Sequence, residues 1–146
     1  MILNPDFKKF FQLLNVNDVR YMIVGGYAVA YHGYPRYTKD IDVWIWVKPE
    51  NAEKVVKTLS DFGFESLELE ASDFLETETI IQLGYAPNRI DLIMGVPGVD
   101  FEECYAKKIM EEIDGISLPF IDLESLKKSK QASGRLQDLA DIENLK

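Results

Sequence analysis

Cysteine and histidine are nearly absent. Cys104 is the one cysteine, so no internal disulfide can form, and with His32 the sole histidine there is no Cys/His cluster to hold zinc. No apolar run approaches the length that spans a bilayer. Met1 to Phe10 lacks the apolar core and small-residue cleavage site of a secretory leader, so a cytoplasmic chain without a membrane partner is expected. Basic charge is also short: 16 Lys+Arg stand against 25 Asp+Glu, a net charge of −9. That excludes a non-specific binder of duplex DNA, whose affinity comes from neutralising phosphates. It leaves open metal ions, nucleotides and a protein partner.

What is present is the composition of an ordinary globular chain, 47% hydrophobic and 28% charged, with 146 residues for a single domain, 1–146. Internal repeats, low-complexity tracts and linkers are missing. The charge is uneven, with six acids and no base between Glu65 and Glu78. Between Leu123 and Gln137, Lys127, Lys128, Lys130 and Arg135 face Glu124 alone. Such blocks are most simply solvated faces.

The periodicity predicts helix over Pro5–Leu14, with Phe7, Phe10, Phe11 and Leu14 on one face. Tyr21–Val24 is a buried strand stopped by Gly25-Gly26, and Tyr27–Tyr31 a short helix ended near Gly33. Asp40–Val47 alternates and is rich in β-branched and aromatic residues, hence strand. Lys48-Pro49 opens a helix whose apolar face is Ala52, Val55, Val56, Leu59 and Phe62, and Gly63 ends it. Thr79–Tyr85 and Arg89–Met94 form a hairpin, Phe101–Met110 a helix, and Ile116–Ile121 a strand. Two helices in a tail from 123 to 146 follow, about Leu123–Ala132 and Arg135–Leu145. The fold class is α/β (α+β), a mixed β-sheet flanked by helices.

The chemistry sits first in Asp40-Ile41-Asp42. Alternate residues of a strand share a face, so both carboxylates point the same way, roughly 6.6 Å apart at the Cα level. Two ionised carboxylates that close repel, and a divalent cation is the usual reason to keep them together. All-oxygen ligation favours Mg²⁺, with Mn²⁺ as substitute, over zinc. Next, Gly25-Gly26 lets the backbone approach a phosphate closely at the start of a helix, where free N–H groups and a positive dipole end are available. Asp91 is then an acid in an apolar strand, costly there unless something pairs with it.

Gly25-Gly26, thirteen residues, Asp40-Ile41-Asp42, and Asp91 on a later strand together resemble the nucleotidyltransferase superfamily of the DNA polymerase β type. The stretch from Gly25 to Asp42 looks like its small bacterial branch, which includes abortive-infection and toxin–antitoxin nucleotidyltransferases. The tail from Lys130 to Ile142 is similar to a Lys/Arg/Asp motif at the end of such domains.

The resemblance implies a polymerase β-like core and Mg²⁺-dependent transfer of a nucleoside monophosphate from an NTP, ATP included, to an acceptor hydroxyl. Asp40, Asp42 and Asp91 are the implied metal ligands and catalytic residues, in a two-metal in-line displacement. Gly25, Gly26, Arg36 and Lys130 are candidates for the nucleotide. Many members carry serine after the first glycine, where Gly26 offers only its backbone N–H. The acceptor is left open among a small molecule, a protein hydroxyl and an RNA 3′ end, for which Lys127, Lys128 and Lys130 are the one basic stretch.

Two other functions compete. One is an inactive or antitoxin-like nucleotide-binding module acting through a partner protein; the other is a D-x-D glycosyltransferase. His32, Trp44, Trp46 and Cys104 are read as packing residues, Asp138 and Asp141 as partners of nearby basic groups, and Arg135 as a second candidate for the triphosphate.

Overall fold

A computed structural model describes residues 3–33, 40–64, 68–84 and 89–144, apart from the side chains of 137, 138 and 144. Helix α1 (Pro5–Val16) starts at Asn4, whose Oδ1 accepts from the Phe7 N–H at 2.9 Å, and buries Phe7, Phe10, Phe11 and Leu14. Strand β1 (Tyr21–Val24) leads straight into α2 (Gly25–Tyr31). This helix begins two residues earlier than the sequence suggests, because the glycines are themselves its first turn. Strand β2 is Ile41–Ile45 and α3 is Pro49–Phe62, stopped by Gly63.

A 3-10 turn (Ala71–Phe74) precedes β3 (Ile80–Leu83) and β4 (Ile90–Ile93), the two arms of the expected hairpin. Then come α4 (Phe101–Ala106), β5 (Ile109–Ile113), β6 (Ile116–Phe120), α5 (Leu123–Ser133) and α6 (Leu136–Asn144). The helix expected to run on to Met110 stops at Ala106, because Ile109 and Met110 pair with Phe120 and Pro119 in the sheet. Asp114-Gly115, both at positive φ (53° and 82°), make the tight turn between β5 and β6.

Six strands form one mixed sheet in the order β3-β4-β2-β1-β6-β5. β2 runs antiparallel to β1 and parallel to β4, while β6 is parallel to β1. Alternation on β2 sends Ile41, Val43 and Ile45 into the core, on the side where Phe11 of α1 stacks on Tyr21. α1 also meets α3 there, with Phe10 edge-on to Phe62. The opposite face carries Asp42 and Trp44, the latter covered by Phe101 of α4.

A polar residue within the α3 core face fixes the sheet's entry. Buried Asn51 accepts from the Arg20 N–H at 2.8 Å and donates to the carbonyls of Arg20 and Trp46 at 3.1 and 2.9 Å. It thereby ties the start of β1 to the end of β2. Among the described residues no helix is long and apolar enough to cross a membrane.

Candidate active site

Parallel pairing of β2 and β4 sets Asp42 directly beside Asp91, and Val24, the residue before the glycine turn, lies opposite Asp42 on β1. Thus three separate stretches of sequence meet at one end of three adjacent strands. Gly25 has φ +68°, and a Cβ there would run into the Asp42 carboxylate. Only glycine lets the turn close on this acid. The cavity above them holds about 480 Å³ and is bounded on one side by Gly25, Gly26, Asp40, Asp42 and Asp91. Its other wall is α5, where Leu126, Ser129, Lys130 and Ser133 recur at helical spacing, with Arg135 following.

A cavity of about 740 Å³ between α1 and the β5–β6 hairpin is larger. Two of its polar side chains are engaged within its wall: the Tyr21 hydroxyl donates to Asn15 Oδ1 at 2.8 Å, and Asn15 Nδ2 donates to the Ser117 carbonyl at 3.0 Å. The smaller one, with Asp40, Asp42 and Asp91 on its lining, is the candidate site.

Burial, then the Asp91 carboxylate and then that of Asp40, push the Asp42 carboxyl up to about 6; Arg89 and Lys130 act in the opposite sense. Arg89 is the cation that sequence reading missed. Its Nε and Nη2 donate to the two oxygens of Asp91 at 2.9 and 3.1 Å, and Nη2 also donates to Asp40 at 2.7 Å. The signal was available, because residues two apart on a strand share a face, which puts Arg89 beside Asp91.

The donor chemistry, carboxylates against a cradle of bare glycine backbone, fits a hard divalent cation such as Mg²⁺. Among the described residues, however, no three acidic, histidine or cysteine side chains converge on one ion position. Asp40 and Asp91 are instead drawn to Arg89.

Lys130 also differs from a simple surface base. It is buried, as is Asp141 of α6, and the two pair at 3.0 Å. The pairing expected of Asp141 is therefore present, and Lys130 faces the cavity rather than forming one basic surface with Lys127 and Lys128. Arg36 lies outside the described residues. His32 caps α2 and its Nε2 sits 2.7 Å from the Ile121 carbonyl, a packing role. Trp44 and Cys104 are buried, and Trp46 stacks on Phe101 with Arg20 over its ring. With only seven residues, α2 contributes a weak dipole. The backbone amides of the turn are what a phosphate would meet.

The family model of the aminoglycoside-2''-adenylyltransferases matches residues 6–145, nearly the whole chain. The chain belongs to the aminoglycoside-2''-adenylyltransferase family. It is a nucleotidyltransferase, in agreement with the superfamily that the glycine turn and the three acids suggest. No curated protein matches it in sequence.

Solved structures share the fold at low identity. A Thermotoga maritima protein, TM1012, assigned as a nucleotidyltransferase, aligns with TM-score 0.62 and 19% identity over 99% of this chain and 92% of its own. The lincosamide antibiotic adenylyltransferase LnuA, solved with lincomycin bound, gives 0.57 and 16% over 99% and 96%. An antigenic nucleotidyltransferase-like protein from Paracoccidioides brasiliensis gives 0.54 and 17% over 96% and 74%. The six-stranded mixed sheet with its flanking helices is the fold that this chain shares with these structures.

Proposed function

We propose that this adenylyltransferase-family chain moves AMP from ATP to a hydroxyl of an amine-bearing small molecule of the aminoglycoside kind, with Mg²⁺ or Mn²⁺ as cofactor. The observation that carries the reading is the side-by-side register of Asp42 and Asp91 under the Gly25 turn. Family membership supports the adenylyl donor and the small acceptor.

Asp40, Asp42 and Asp91 would hold the divalent ions, which supply charge neutralisation at the triphosphate and the departing pyrophosphate. Gly25 and Gly26 present backbone N–H groups to the phosphates. Lys130, steadied by Asp141, and Arg135 add positive charge from α5 and beyond. Asp91 would accept the proton of the acceptor hydroxyl as that hydroxyl's oxygen bonds to the α-phosphorus and the bond to pyrophosphate breaks. Positioning and charge carry the rate.

A non-catalytic nucleotide-binding module is favoured by one observation, the engagement of both Asp40 and Asp91 by Arg89. A single experiment separates the two. The protein is incubated with ATP, Mg²⁺ and an aminoglycoside bearing a free 2''-hydroxyl, and the acceptor is weighed by mass spectrometry, with melting curves recorded beside it. The transferase gives an acceptor heavier by one AMP and a Mg²⁺-dependent rise in melting temperature with ATP, both lost in Asp42→Asn. ATP stabilisation without product across a panel of acceptors would leave the binding module.

A further inference from the structure

One side of the cavity lies beyond the reach of the glycine turn. In the strand order β3-β4-β2-β1, the Gly25–Gly26 turn ends β1 on one flank of Asp42 and Asp91, and β3 lies on the other. Register places Gln82 of β3 opposite Asp91, and Ile80 opposite Ile93. Directly opposed residues of an antiparallel pair share a face, with Cβ atoms about 5 Å apart. Gln82 and Ile80 therefore stand on the acid-bearing face, and both line the cavity together with Ile93.

Their chemistry differs from that of the phosphate side. Ile80 is 57% exposed, an uncovered apolar side chain on a cavity floor. Gln82 is exposed and uncharged, and its amide both donates and accepts. A triphosphate finds no cation on β3. A ring with one C–H face and a rim of hydroxyls and amines finds an apolar step, an amide and a carboxylate in that order.

We infer that Gln82 and the Ile80–Ile93 step form the acceptor subsite. The acceptor ring rests on the two isoleucines, Gln82 fixes a hydroxyl or amine next to the reacting one, and the reacting hydroxyl faces Asp91. Gln82 is a positioning residue, and the assignment rests on the transferase reading above.

The test is NMR on full-length protein labelled at isoleucine methyls, backbone amides and glutamine side chains. One sample is titrated with Mg²⁺ and α,β-methylene-ATP, another with kanamycin as the probe acceptor. The expected result is that the nucleotide shifts the Gly25 and Gly26 amides and leaves the Ile80 and Ile93 methyls and the Gln82 side-chain amide in place, while kanamycin moves those three. Movement of the isoleucine methyls by the nucleotide would make this the base site and overturn the assignment, as would kanamycin leaving them unmoved. Failure of the transferase reading shows separately, as kanamycin that gains no AMP when incubated with the protein, ATP and Mg²⁺, whatever the methyl and amide shifts.

Kinetics supply a second readout. Gln82→Ala on this exposed edge should raise the acceptor KM about tenfold, as loss of one well-placed hydrogen bond does, with the ATP KM unchanged. Gln82→Asn should recover part of it. A changed ATP KM in its place would count against the subsite.

Discussion

At Asp42, burial and two neighbouring carboxylates act in the same direction, and the acid sits at about 6 in place of its ordinary 3.8. The groups facing it are Asp91 and Asp40, which raise it, and Arg89 and Lys130, which lower it. A carboxyl raised on folding contributes stability below its unfolded value and loses it as pH climbs through the folded one. The metal-free protein should therefore lose about 2–3 kcal/mol from this group between about pH 4 and pH 7, at about 1.4 kcal/mol per unit. Asp42→Asn removes that slope, so the variant should melt higher than wild type at neutral pH in chelator, and lower once Mg²⁺ and ATP are added to both. Scanning calorimetry across pH checks both signs. Asp42 and Asp91 were readable from sequence because an acid among β-branched residues stands out. Arg89 was not singled out, because an arginine at a strand entrance has no such contrast until its partners are in space.

Among the elements, α5 and α6 are joined by the buried Lys130–Asp141 pair beside the cavity. Removing one partner of a buried pair strands the other charge, so Asp141→Asn should cost about 3–5 kcal/mol in urea denaturation. Replacing both, Lys130→Met with Asp141→Leu, should return most of that stability while the shift produced by Mg²⁺ and ATP stays reduced. This contrast separates the role proposed for Lys130 at the phosphates from its role in the fold. The helices with long apolar periodicity, α1 and α3, were legible in the sequence, as were β1, β2 and the β3–β4 pair. β5 was not. Its Glu111 and Glu112 are exposed and no apolar alternation marks it, so the local pattern merged with α4. The Asp114-Gly115 turn was the overlooked signal. Asn51 escaped for a related reason, since a polar residue on a helix's inner face is identified only by the backbone groups it satisfies.

On the scale of the molecule, a net charge of −9 makes the whole protein an attractive field for a polycationic acceptor. The KM for the amine-bearing acceptor proposed above should rise with ionic strength as the screening length falls from about 10 Å at 0.1 M to about 3 Å at 1 M salt. Steady-state assays with an amine-rich acceptor and an uncharged polyol of similar size check this, the second showing little change. Arg89 has a consequence at this scale too. It bonds Asp40 and Asp91, acids 51 positions apart in the chain. One guanidinium thereby clasps two distant parts of the chain, an internal tie across the mouth of β2 and β4 that keeps the acid-bearing strands from being pushed apart by their own charge.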